Sequence, residues 1–193
     1  MLIGFAGKRT AGKTHAARIL IREFSYAQAR FAAPIKRALQ VSLGLTWEHT
    51  DGDLKEVPCA ELGGKTPRDA MEWFGMGARE KFGDDVWVNA WFRTNGSELR
   101  RIRQGGSTLH AVRGFVFEDV RLPNEAVAIQ KHGGIVVRIR NDRADALPVL
   151  QSERALDDIV PDMTLTNDMG PNFERAVYDI ADQLRMNRMA ASI

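Results

Sequence analysis

At 193 residues and 44% hydrophobic content, the chain has room for one ordinary domain, or one core carrying an insertion, without covalent staples. Its 27 basic and 25 acidic side chains leave a net charge of +2, which gives no case for a protein that coats nucleic acid. The lone cysteine, Cys59, excludes a disulfide framework or a cysteine-based zinc cluster, and no stretch nears the roughly eighteen apolar residues that cross a bilayer. A cytoplasmic protein without a membrane partner is expected.

The chain opens on the apolar run Leu2-Ile3-Gly4-Phe5-Ala6, which reads as a buried strand, followed at once by Gly7-Lys8-Arg9-Thr10-Ala11-Gly12-Lys13-Thr14. This segment fits G-x-x-x-x-G-K-[ST], the phosphate-binding P-loop. The glycines let backbone N–H groups turn inward around polyphosphate oxygens, and the following helix adds its positive N-terminal end. Lys13 would reach the β- and γ-phosphates of ATP, and the Thr14 hydroxyl would ligate Mg²⁺. A chance match arises in roughly one chain of this length in a hundred. Context lowers that figure, because Ala17, Leu20 and Phe24 continue at helical spacing and give the strand, loop, helix order that the chemistry requires.

Tyr26 to Ala33 then alternates as a second strand, and Pro34 suits the first turn of a helix carrying Lys36 and Arg37. From about residue 45 to 94 no clear strand can be read, and the segment is taken as an insertion between sheet elements. Within it Thr66-Pro67-Arg68-Asp69 has the form of a capped helix start. If that helix continues through Gly75 and Gly77, then Arg68, Glu72 and Arg79 share a face, since eleven residues make almost three turns. On spacing alone this face is equally a solvated charged surface or a phosphate clamp.

Residues 95–113, rich in glycine and arginine, read as a surface loop or short hairpin, and Arg100, Arg101 and Arg103 as a solvated basic run rather than a contact for an anionic partner. Phe115-Val116-Phe117 restarts the core as a strand that ends in Glu118 and Asp119, with Arg121 just beyond. Glu125 to His132 reads as a helix stopped by Gly133-Gly134, and Ile135 to Ile139 as another strand. A polar, irregular stretch runs from Arg140 to Asp162, Met163 to Thr166 makes a last strand, and Phe173, Val177, Ile180 and Leu184 form the apolar stripe of a final helix. This order implies an α/β fold: an open parallel sheet covered by helices on both faces, with ligands beyond the carboxyl ends of the strands, where the P-loop, Asp119 and Arg138 would converge.

Taken together, the P-loop, Phe31-Ala32-Ala33-Pro34-Ile35-Lys36, Thr66-Pro67-Arg68 with Gly75, Arg79 and Trp87, Asp119-Val120-Arg121-Leu122-Pro123-Asn124-Glu125, Gly133-Gly134, Ser152-Glu153 and Thr166-Asn167-Asp168-Met169-Gly170 resemble the ordered motifs of the deoxynucleoside monophosphate kinases of tailed bacteriophages. The resemblance spans nearly the whole chain and is thin at residues 46–65 and 95–112. It implies a three-layer P-loop kinase fold in a single domain over 1–193, with a helical monophosphate-binding insertion at about 45–94 and a lid at about 140–162. It implies transfer of the ATP γ-phosphoryl group to a deoxynucleoside monophosphate, in the host bacterial cytoplasm if the chain is phage-encoded, with a homodimer suggested only by kinship.

On that reading Gly7, Arg9, Thr10, Ala11, Gly12, Lys13 and Thr14 hold ATP·Mg²⁺, with Arg140 and Arg143 as lid arginines or ordinary loop residues. Arg68 and Arg79 bind the acceptor phosphate, with Lys36, Glu72, Trp87 and Glu125 completing the acceptor site. Arg121 brings donor and acceptor together. Asp119 orients either Mg²⁺-bound water or an arginine, or is a buried acid that simply pairs with Arg121. Two departures stand out: Thr14 and His15 replace the acid and threonine frequent after the P-loop lysine, and Leu150 stands where many relatives carry histidine. His15, His49, His110 and His132 are scattered, and none reads as a ligand or catalyst. The competing readings are a dephospho-coenzyme A or adenylate kinase with the same core, and a nucleotide-gated switch or DNA-packaging motor.

Overall fold

Every residue of the first strand, β1 (Leu2–Ala6), is buried, and its two faces meet different helices. In the computed structural model, which describes residues 1–104, 112–149 and 153–190, Ile3 and Phe5 join a core with Ala16, Ala17 and Leu20 of α1 (Lys13–Phe24) and with Phe173, Val177 and Ile180 of α8 (Pro171–Ala190). Gly4 faces the other way. A Cβ there would lie 2.6 Å from Ile129 in α6 (Pro123–Lys131), so α6 packs flush on the strand. Both faces of the sheet are thus covered.

The sheet is five-stranded and wholly parallel, in the order β2 (Tyr26–Ala29), β3 (Gly114–Val120), β1, β4 (Ile135–Arg140), β5 (Met163–Thr166). The strand order reverses at β1, and the P-loop leaves the carboxyl end of that central strand. The expected three-layer α/β architecture with an open parallel sheet is the one observed.

The chain divides into two compact units. The sheet unit comprises residues 1–29 and 97–193. The helical unit comprises residues 30–96 and contains α2 (Ala33–Leu43), α3 (Trp47–Thr50), two 3₁₀ turns (Asp53–Glu56 and Ala60–Leu62), α4 (Pro67–Phe82) and the first part of α5 (Val86–Arg103). Its own core gathers Ile35, Leu39, Leu45 and Trp87, with Met71, Phe74 and Ala78 packed against them. The Trp87 indole donates to the Gly75 carbonyl at 2.9 Å, and Gly75 abuts Ile35, which explains a glycine inside α4. At the start of α4 the Thr66 hydroxyl and Asp69 carboxylate cap each other's backbone, as the sequence pattern predicts.

Two elements differ from expectation. β2 ends at Ala29 rather than Ala33, because Arg30 to Ala33 closes a turn (Ala33 N to Arg30 O, 3.0 Å) that launches α2 through Pro34. The loop expected at 95–113 is helical as far as Arg103. Leu99 and Ile102 are buried one turn apart, Arg101 pairs with Glu98, and Arg103 donates to the His132 carbonyl at 2.9 Å. Residues 105–111 of that segment, His110 among them, lie outside the described residues. Cys59 is half-buried, and no helix among the described residues is long and apolar enough to cross a membrane.

Candidate functional site

The P-loop backbone takes conformations that only its sequence permits. Gly7 (φ +144°) and Gly12 (φ +107°) are in the positive-φ region, and a Cβ on them would lie 2.4 Å from the Ile139 carbonyl oxygen and 2.2 Å from Asn167 Nδ2. Thr10 also has positive φ (63°), a conformation that costs a β-branched residue energy and suits a loop whose amides must turn to one side. Gly12 forms the N-cap of α1, which aims the positive end of that helix at the loop.

Side chains from distant segments hold this loop. Buried Asn167, just after β5, donates to the Ala11 carbonyl at 2.8 Å and accepts from Met169 N at 2.9 Å, while buried Asn141, just after β4, donates to Asn167 O at 2.7 Å. Lys8 donates to the carbonyls of Asp145 and Leu147 at 2.8 and 3.1 Å, which ties the loop to α7 (Asp142–Asp145). The Arg9 amide donates to Glu153 Oε1 at 2.7 Å, and Glu153 is buried. Lys13 bends across the loop to donate to Gly7 O and Lys8 O at 2.8 and 2.7 Å. Burial lowers its pKa from the ordinary lysine value against the attraction of Asp119, with Arg121 adding to the depression and Glu153 and Glu118 opposing it. The Thr14 hydroxyl, exposed on the first turn of α1, hydrogen-bonds to no described residue.

A break in register brings two acids to this end of the sheet. Gly4 of β1 aligns with Phe117 of β3, but Ala6 aligns with Val120, so β3 spends one extra residue over that interval. Phe117 and Val120 both fall on the α6 side, and Glu118 and Asp119 stand together between them. Glu118 is buried and accepts from Gln28 at 2.8 Å. Asp119 is exposed rather than buried, and Arg121 grips it with a two-pronged contact, Nε to Oδ1 and Nη2 to Oδ2, both at 2.8 Å. Burial alone would lower the Arg121 pKa, but its bond to Asp119 more than offsets this and raises it.

The structure therefore brings Lys13, Asp119 and Arg121 into one electrostatic group but leaves Arg138 out. The guanidinium of Arg138 is spent on the carbonyls of Leu156 and Ile159 and lies 3.7 Å from Asp157. Arg138, Arg140, Gly7, Lys8 and Glu153 wall a half-open cavity of about 460 Å³ beside the P-loop. Arg140 reaches Asp145 at 3.0 Å, and Arg143 on α7 is exposed. The stretch 140–162 is anchored by buried Ala144, Leu156 and Ile159, and its residues 150–152, Leu150 and Ser152 among them, lie outside the described residues.

Two residues expected at the acceptor site are buried. Glu125 is buried, and its carboxylate accepts from the amides of Arg121 and Leu122 at 2.8 and 3.2 Å, so it fixes the backbone that carries Arg121. Trp87 belongs to the core of the helical unit. In that same unit Lys36 pairs with Asp51, which also holds Arg30 at 2.7 Å. Arg68 pairs with Glu56 and lies 3.8 Å from Glu72, while Arg79 has a buried Nε without a hydrogen-bond partner among the described residues.

Comparison with known proteins adds one relative. No family model matches the chain. Over 141 residues, 72% of this chain and 73% of the other, it is 28% identical to a protein of Acanthamoeba polyphaga mimivirus named "Putative deoxynucleotide monophosphate kinase". Among solved structures, shikimate kinase from Aquifex aeolicus is similar over 97% of this chain and 98% of its own, at 14% identity and a TM-score of 0.43. TT1252 from Thermus thermophilus is similar over 95% and 97%, at 22% identity and the same TM-score.

The residues present fit a bound nucleotide triphosphate and Mg²⁺. A Cβ would fill the space at Gly7 and Gly12, a helix N-terminus faces the loop, and Thr14 offers an uncommitted hydroxyl. The roles of Asn141, Asn167, Lys8 and Glu153 were not legible as such. Asn141, Asn167 and Glu153 act on the loop from points far along the chain, and Lys8 reaches out of it to carbonyls just as distant in sequence; the P-loop, Asn167 and Glu153 motifs marked three of these positions but not their contacts.

Proposed function

We propose that this protein is an ATP-dependent deoxynucleoside monophosphate kinase, which passes the γ-phosphoryl group of ATP to a deoxynucleoside monophosphate and releases ADP and the diphosphate. The observation that carries this reading is the P-loop, whose two glycines sit where any side chain would collide and whose lysine and threonine stand at the required places. The mimiviral relative's name and the ordered motifs support the choice of acceptor.

Bound Mg²⁺ would neutralise the transferring phosphoryl group. The chain's own residues do the rest. The loop amides cradle the triphosphate, Lys13 exchanges the carbonyls of Gly7 and Lys8 for β- and γ-phosphate oxygens, and the Thr14 hydroxyl would hold the metal. Asp119 aims Arg121 at the developing charge, and Glu125 holds the Arg121 backbone. Arg140 and Arg143 shield the donor from water. In the helical unit Lys36, Arg68 and Arg79 receive the acceptor phosphate, with Glu72 steadying Arg68. An acceptor oxygen forms the new P–O bond as the bond to the bridging oxygen of ADP breaks. The monoester's second pKa is near 6, so the acceptor is already a dianion and needs cations and alignment more than a general base.

Purified protein supplied with ATP·Mg²⁺ and each deoxynucleoside monophosphate in turn should yield ADP and the matching diphosphate. Turnover that ignores every monophosphate but rises with DNA would favour a motor, and GTP-only turnover a switch. Either result overturns the reading.

A further inference from the structure

The helical unit gathers cations around one short turn, and one of them has no partner among the described residues. The 3₁₀ turn Asp53–Glu56 packs against α3 and α4. Just before it, Asp51 holds Lys36 of α2 and Arg30; at its end, Glu56 holds Arg68 of α4. These ion pairs draw Lys36 and Arg68 to opposite ends of the turn whose third residue is Lys55.

Lys55 is half-buried, yet its ammonium makes no hydrogen bond or ion pair with any described residue. Burial, then the charges of Arg68 and Lys36, lower its pKa against the pull of Glu56 and Asp51. Taking an ammonium partly out of water beside two other cations costs free energy, which a bound anion would recover. A compact group bearing two charges and several acceptor oxygens suits two point-charge lysines and one forked arginine best.

Resting on the kinase reading above, we propose that Lys55 is a third cationic contact, beside Lys36 and Arg68, for the phosphate monoester of the acceptor nucleotide. The turn lies within residues 46–65, where the family resemblance is thinnest, so no motif points to it.

The test is calorimetric titration of the full chain and its Lys55→Met and Lys55→Arg variants with a deoxynucleoside monophosphate, the matching nucleoside and inorganic phosphate. Lys55→Met should weaken monophosphate binding roughly ten- to a hundredfold, the weight of one charge-assisted hydrogen bond, leave nucleoside binding unmoved, and be largely rescued by arginine. In turnover, its KM for the monophosphate should rise by a similar factor while that for ATP moves less than about twofold. Monophosphate affinity unchanged in Lys55→Met, or nucleoside affinity lost equally, overturns the proposal, and normal wild-type turnover alongside would leave the kinase reading standing. A wild-type chain that binds inorganic phosphate through Lys55 but no monophosphate overturns both and identifies a free-phosphate site. If the methionine variant proves unstable, Lys55→Gln carries the same comparison.

Discussion

The contact between Gly12 and Asn167 shows how a single position can set the geometry of the whole loop. Asn167 reaches the Ala11 carbonyl only because Gly12 offers no side chain, and Gly12 holds a φ that other residues rarely adopt. Gly12→Ala would force the new methyl into the Asn167 amide and strain the backbone, a combined cost on the order of 1–3 kcal/mol. ATP affinity should fall about ten- to a hundredfold, with the helical unit unaffected. Competition by a fluorescent ATP analogue would measure this, and undiminished affinity would mean that the loop tolerates a Cβ there.

Among the elements, α4 has the clearest start and the most consequences. Its capping box joins Thr66 and Asp69, Pro67 occupies the first turn, and Gly75 lets α2 approach closely. Because Arg68 follows the cap directly, the same local motif that begins the helix also fixes the root of a candidate phosphate ligand. Thr66→Ala should cost about 1 kcal/mol and lower the melting temperature by roughly 2–4 °C for a chain of this size. A calorimetric scan with no shift would show that the Asp69 side chain suffices as a cap. The helix was readable from sequence because its capping signals are local. The loop expected at 95–113 was not, because Gly96, Gly105 and Gly106 suggest a break, whereas burial of Leu99 and Ile102 keeps α5 helical.

For the whole molecule, charge is distributed so that acids serve as anchors for cations. Asp51 shows this best. Burial works to raise its pKa, but the hydrogen bond and charge of Lys36, then Thr50 and Arg30, outweigh it and hold the carboxyl below the usual aspartate value. A depressed carboxyl stabilises the fold above its unfolded pKa, near 3.9, and that contribution is lost as pH falls through the lower, folded value. Stability should therefore decline with acidification below about pH 4, and Asp51→Asn should flatten that part of the profile while lowering stability at neutral pH. Denaturant unfolding across pH 2.5–7 would check this, and profiles of equal slope would remove Asp51 as the titrating group.

The α/β order, the phosphate-binding loop and the main helix starts could be read from the chain alone, because these depend on hydrophobic period, glycine spacing and caps within a few residues of one another. It took the folded molecule to show that Asp119 is gripped by Arg121, that the Glu125 carboxylate accepts from the Arg121 amide and the Trp87 indole donates to Gly75, that Arg138 bonds the carbonyls of Leu156 and Ile159, and that the Lys55 ammonium has no partner among the described residues. Those outcomes depend on which side chains meet across large separations in the chain, and on a one-residue slip in strand register that no local pattern encodes.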